Sequence, residues 1–299
     1  MKKKVLEQIK EIVWATDMSK ESKVCIPYIK FFNEKLSKGK VRLKNYSIFV
    51  LPKISEWVYE RAFFSTDDYF AEIKNSLDKS LKKVKKYCDT LDLDFDVTVE
   101  QGIESEEIFK YIKKNEADVL FVGKRGISEI SDLLIGSTTS RLIRNSNVPV
   151  FVVTSKKRTV DIKKILCPID FGELSLAELN YSLSFAEQFG ADLYTAHISE
   201  FFNYRVPVLK RDKLIETINT KITKIAKDAN YKIKDTIYDM GEPAQKIIEI
   251  SKKGKFDLII MAANQKVGAE RLLLGSITEK VLMHSKIPIL IIPPYKYVR

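Results

Sequence analysis

Histidine and cysteine are scarce in these 299 residues, with two of the first, His197 and His284, and three of the second. The pair of imidazoles shows neither an HExxH nor any comparable ligand spacing, which argues against a histidine-based metal centre. Cys25, Cys88 and Cys167 are odd in number, widely spaced and form no CxxC pair. They read as buried free thiols rather than as disulfides or a zinc site. No apolar run approaches the ~18 residues that a membrane span requires. The opening "MKKKVLEQIKEIVWA" is basic, but Glu7, Lys10 and Glu11 interrupt any apolar stretch, so it does not read as a signal peptide and a cytoplasmic location is expected. HIGH-like and SGGxDS-like adenylation motifs are missing too, and no evident general base or metal-binding carboxylate pair stands beside the glycine motif described below.

What is present is ordinary for a folded protein. Hydrophobic residues make up 45% and charged residues 30% of the chain, and its length suffices for two domains with cores of their own. The net charge is +11, with 51 Lys and Arg against 40 Asp and Glu. The excess is spread over both halves. Its densest cluster, "KSLKKVKKYC", falls on a stretch where Phe70, Ile73, Leu77, Leu81, Val84, Cys88 and Leu91 step by threes and fours. That pattern predicts a helix with its lysines in solvent. No motif for specific nucleic-acid recognition accompanies it, and the charge surplus alone would attract small anions.

The chain also repeats itself. Residues 102–153 align with 241–292 without a gap at a constant offset of 139, matching Gly102 to Gly241, Asp118 to Asp257, Gly136-Ser137 to Gly275-Ser276, Thr139 to Thr278 and Pro149 to Pro288. Upstream, "IVWATD" ending at Asp17 meets "ILCPID" ending at Asp170. The boundary falls in the polar stretch "TSKKRTVD", giving domains 1–155 and 161–299. Each copy alternates short apolar runs with amphipathic stretches. The predicted strands are "IVWA", "YSIFVL", "FDVTV", "DVLFVG" and "VPVFVV", then "ILCPI", "LYTAHI", "KDTIYDM", "DLIIMA" and "IPILII". The fold class is therefore α/β: two tandem Rossmann-like domains, each a doubly wound, five-stranded parallel sheet. Ligands of such sheets bind beyond the carboxyl ends of the strands, where the winding reverses. Asp17 and Asp170 end the first strands there; Gly123 and Ala262 end the fourth.

"VGKRGISEISDLLIGSTTSRLIRNSNVPVFVV", residues 122–153, carries the chemistry. Gly123 and Gly126 allow close approach of the backbone, and Gly136-Ser137-Thr138-Thr139 opens a helix whose N–H groups favour phosphate. Lys124 and Arg125 bring positive charge nearby. A helix cap with two loop glycines explains the same residues without a ligand. The spacing, GxxG, nine residues, then G[S/T], resembles the nucleotide-binding signature of the universal stress protein family, and the resemblance covers nearly the whole chain as two tandem domains. It implies a role in stress response and binding of ATP, with or without magnesium. It also implies the roles of single residues: Asp17 and the Leu51 backbone at the adenine, and Gly123, Gly126, Gly136, Ser137 and Thr139 at ribose and phosphates, with Lys124, Arg125 and Thr138 alongside.

A carboxylate 4 Å from a phosphate costs ~4 kcal/mol at an effective dielectric of 20, which agrees with Asp17 at the base or ribose end. Capping the helical stretch "SKESKVCIPYIKFFNEK" is its other reading, and Pro27 either starts or kinks that helix. In the second copy Ala262 and Gln265 replace the first two glycines, leaving Asp170, Ile198, Gly275, Ser276 and Thr278 as a degenerate site. ATP is thus expected mainly in the first domain. The expected assembly is an intramolecular pseudo-dimer through "VPVFVV" and "IPILII", compatible with further pairing into a homodimer and with no membrane partner. The function expected is a nucleotide-binding regulatory protein. Slow ATP hydrolysis is one alternative; a hydrophobic-ligand or interaction module using the aromatic segment 54–70 is another.

Overall fold

Alternating apolar runs and amphipathic stretches become alternating strands and helices in a computed structural model, which describes residues 9–37, 42–53, 66–125, 135–155, 159–170, 172–199, 208–228, 231, 233–263 and 274–293. Gly126, Gln265 and most of the aromatic segment after residue 53 lie outside them. The first half runs β1 (Glu11–Ala15), α1 (Lys20–Lys23), α2 (Ile26–Leu36), β2 (Lys44–Pro52), α3 (Thr66–Cys88), β3 (Phe95–Gly102), α4 (Glu104–Lys114), β4 (Val119–Gly123), α5 (Ser137–Asn145) and β5 (Val150–Val153). The second runs β6 (Lys164–Pro168), α6 (Glu173–Phe189), β7 (Asp192–Ser199), α7 (Val208–Asp228), β8 (Asp235–Met240), α8 (Pro243–Lys253), β9 (Leu258–Ala262), α9 (Ser276–His284) and β10 (Ile289–Ile292).

All ten strands share one sheet in the order β3-β2-β1-β4-β5-β10-β9-β6-β7-β8. Pairing is parallel within each half, and β5 meets β10 antiparallel. The sequence composition follows position in this order. Strands near the middle, "VLFVG", "VFVV" and "ILII", are buried along their length, being covered on both faces. The outer strands β3 and β8 are half-exposed and carry Asp96, Glu100, Asp235 and Asp239, charges that blunt a free edge.

Alternate residues feed two cores. Trp14, Phe121, Phe151, Ile260 and Leu290 face α2 and α6 on one side; Val13, Val122, Val152, Ile259 and Ile291 face α4, α5, α8 and α9 on the other. The lysine-rich segment is part of α3, and Lys79, Lys82, Lys83, Lys85 and Lys86 are exposed as the periodicity predicts. At the start of α3 the expectation fails: Tyr69 is buried and Phe70 is 59% exposed. With 3.6 residues per turn, Tyr69 sits one turn before Ile73 and keeps to the covered stripe. Pro27 begins a helix rather than kinking one, lying in the first turn of α2 after a break at Val24 and Cys25.

The seam between the halves obeys the repeat. Residue 151 and residue 290 are counterparts at the offset of 139, and they are also register partners, Phe151 with Leu290. Above them Phe32 of α2 lies 5.9 Å from Phe185 and 4.5 Å from Phe189 of α6, and Phe31 stacks on Phe189 at 5.7 Å. Repeated polar residues do repeated work. Asp118 accepts the N–H groups of Lys10 and Glu11, and Asp257 those of Lys163 and Lys164.

Candidate functional site

The described residues of the expected first site gather at the carboxyl ends of β1, β2 and β4, where the strand order changes direction. The turn after β1 is locked by side chains. Thr16 Oγ1 accepts the Met18 N–H and pairs with Ser22 Oγ at 2.9 Å, while Trp14 Nε1 donates to the Ser22 carbonyl. Ser19 caps α1 by accepting the Ser22 N–H at 3.0 Å. Asp17 is therefore not the cap; it is half-buried, and its Oδ1 accepts the Ser19 N–H at 2.9 Å. Leu51 lies near the end of β2, in register with Gln101 of β3.

The two described glycines of the motif differ in what holds them. A Cβ on Gly123 would lie 2.3 Å from the backbone carbonyl oxygen of Glu21 in α1, so the chain itself requires glycine there. Among the described residues beyond its chain neighbours, a Cβ on Gly136 would come no closer than 3.6 Å to any atom, and its φ of −56° suits any residue. Gly136 caps α5 and donates its N–H to the Lys124 carbonyl at 2.9 Å. Ser137 is exposed and Thr138 half-buried at the helix start.

Two residues of the motif are engaged within the chain. The Thr139 hydroxyl is buried and donates to the Gly123 carbonyl at 2.9 Å, tying α5 to the end of β4 instead of acting as a helix cap. Lys124 is 5% exposed, and its ammonium donates to the carbonyl of Met283 in the last turn of α9. A cation at the negative end of a helix is favourable, and this one bridges the halves of the chain. Arg125 is half-buried beside it.

In the second half Asp170, Ile198, Gly275, Ser276 and Thr278 all line one crevice of about 940 Å³ at the ends of β6, β7 and β9. Thr278 donates to the Ala262 carbonyl at 3.2 Å, repeating the Thr139 bond. Asp170 Oδ1 accepts the Gly172 N–H, and His197 Nδ1 lies 2.9 Å from the Ile169 carbonyl, which makes it the donor. Here the sequence reading missed Glu178. Its carboxyl group is buried in the crevice wall, with Oε2 accepting the Ala262 N–H at 3.0 Å and Oε1 facing Cys167 Sγ at 3.5 Å. Burial, reinforced by the negative charge of Asp170, pushes Glu178 well above the usual carboxylate range. One signal was available: Ser175, Glu178, Leu179 and Ser182 step by threes and fours on the buried stripe of α6. All three cysteines are free and buried, as expected from their spacing. Burial raises the Cys25 and Cys167 thiols well above their ordinary value and pushes Cys88 up to about 11. Among the described residues no helix is long and apolar enough to cross a membrane.

A model of the universal stress protein family matches residues 55–154 and 161–293. A universal stress protein of Methanocaldococcus jannaschii is 29% identical over 140 residues, covering 44% of this chain and 81% of its own. A second from the same archaeon is 28% identical over 163 residues, covering 49% and 96%. The crystal structure of a universal stress protein from Archaeoglobus fulgidus aligns with 95% of this chain and 96% of its own at a TM-score of 0.67, with 19% identity, a likeness of fold.

Proposed function

The chain belongs to the universal stress protein family as a tandem two-domain member, and on that footing we propose that it is a regulatory protein that holds one ATP in its first domain. We take the domains as residues 1–155 and 161–299. The observation that carries this reading is Gly136: neither its described neighbours beyond the adjacent residues nor its backbone angles demand glycine, and a ligand that needs the space accounts for the missing side chain. It stands at the N-terminus of a nine-residue helix with no acidic residue in its first turn, a favourable place for phosphate. Asp17, in the turn after β1, and the Leu51 backbone, in the neighbouring strand β2, are assigned to the base. Lys124 supports the site through the backbone, accepting the Gly136 N–H.

On this reading the β5–β10 pairing makes the chain a pseudo-dimer of its own domains, and bound nucleotide sets the surface offered to a partner. Denaturing the purified protein and identifying released ligand by mass spectrometry tests for nucleotide. Calorimetric titration is expected to give one ATP per chain, weakened by about 1 kcal/mol in Ser137→Ala because the backbone donors remain, and lost in Gly136→Val. Two equivalent ATP sites, or undiminished binding by Gly136→Val, would overturn the assignment.

A further inference from the structure

Helix α3 packs on β2 and β3 at one end of the sheet and turns Val84 and Cys88 inward. It leads back to the amino end of β3, which is parallel to β2, so its C-terminal half lies away from the strand-end site. On the outward face of that half Lys79, Lys82, Lys83 and Lys86 are all exposed. Spaced by threes and fours, they form one row along the helix. From Lys79 to Lys86 the helix rises about 10 Å, which gives one charge per roughly 3.5 Å. Lys23 of α1 joins the row from one side, its ammonium 4.3 Å over the ring of Tyr87, the residue one turn after Lys83. Lys85 flanks it on the other, where Asp78 and Asp89 also stand. The helix dipole accounts for Lys85 and Lys86 in the last turn, but its pull fades before Lys79, Lys82 and Lys83.

We propose that this row binds the phosphate backbone of a nucleic-acid duplex without regard to sequence. One strand of a duplex presents a phosphate per about 3.4 Å of its axis, close to the spacing of the lysines. The row holds no arginine, the side chain that forks onto guanine edges. Its lysines are compact point charges, which suit phosphate oxygens. Single strands are held by stacking on exposed rings. Phe70, the exposed ring of α3, lies half a turn round from the row and about 13 Å before Lys79. An anionic bilayer favours a helix with apolar side chains to insert beside its lysines, whereas the outward positions leading to the row are Ala71, Asn75 and Asp78. The inference goes beyond the first-domain reading and does not depend on bound nucleotide.

Fluorescence anisotropy of the full chain with a labelled mixed-sequence DNA duplex, without ATP and over about 50 to 200 mM salt, tests it. Changing Lys79, Lys82, Lys83 and Lys86 together to Gln keeps good helix formers in place. That variant should bind at least about tenfold more weakly, with a log–log salt slope shallower by about 3 to 4. Changing Lys113, Lys114, Lys252 and Lys253 to Gln removes as many charges from the ends of α4 and α8, in the other helix layer. Screening by salt should hold its effect below about threefold. Thermal melting checks that both variants are folded, and Lys83→Glu alone, weaker by at least about threefold, repeats the test with a single change. Unlabelled duplexes of different base composition should compete alike. No duplex binding at the lowest salt, equal losses in the two variants, or competition by polyglutamate as strong as by duplex would overturn the proposal. So would tighter binding to phosphatidylserine vesicles than to the duplex.

Discussion

A methyl group on Gly123 would sit 2.3 Å from the Glu21 carbonyl oxygen, whereas one on Gly136 would find ordinary van der Waals distances. The two glycines therefore separate stability from binding. Gly123→Ala forces α1 away from β4 and should cost about 1–3 kcal/mol, the usual range for overpacking. Gly136→Ala should cost less than about 1 kcal/mol, the loss of a better helix-capping residue, while reducing ATP affinity more than Gly123→Ala does. Thermal denaturation and calorimetry on the two variants check this. Glu178 gives a second prediction at the same scale. Its folded pKa is raised above the unfolded value, so its contribution is fully present below the ordinary glutamate range. It declines as pH climbs from there through the raised folded value. Stability should fall between pH 5 and pH 8 by more in the unaltered chain than in Glu178→Gln, read from urea midpoints.

Helices α5 and α9 open at the two crevices, and one of them is also held at its far end. The Lys124 ammonium lies on the Met283 carbonyl near the end of α9, so a residue next to Gly123 in the first domain fixes the helix that starts the second crevice. Lys124→Met keeps an apolar stem but strands a carbonyl, and should cost about 1–3 kcal/mol of stability. ATP affinity should change much less, which distinguishes this bridge from a phosphate contact. The elements themselves were legible in the sequence because their signals are local: apolar runs for strands, a three-and-four stripe for α3, and Gly136-Ser137 before α5. Contacts made by folding were not. Ala262 and Glu178 are 84 positions apart, Lys124 and Met283 are 159 apart, and no periodicity reports such a pairing. For the candidate site, the glycines were singled out by their spacing and Asp17 by its place at the end of the first strand. The period of α6 puts Glu178 on the buried stripe, but nothing in it points to the Ala262 N–H that its carboxyl group accepts.

Across the whole molecule the sheet runs without a break from one half to the other through the β5–β10 seam. β5 and β10 are fully buried, and the aromatic cluster of Phe31, Phe32, Phe185 and Phe189 covers their junction. A charge placed there would be buried and unpaired, an expensive arrangement. Leu290→Lys should therefore split a single calorimetric unfolding transition into two, with the halves melting apart. A chain that still unfolds in one step would show that the seam contributes little to cooperativity.

Phe151 pairs with Leu290, the residue that occupies its own place in the repeat. That is the register two separate, identical copies would need to join symmetrically. In such a pair every inherited substitution appears twice, so neither copy can abandon an ability without the other abandoning it too. Written in a single reading frame, the copies mutate independently. One can carry Gly123 and Gly126 while its neighbour carries Ala262 and Gln265 at the matching positions, and a single chain still delivers the two unlike copies at a fixed ratio of one to one.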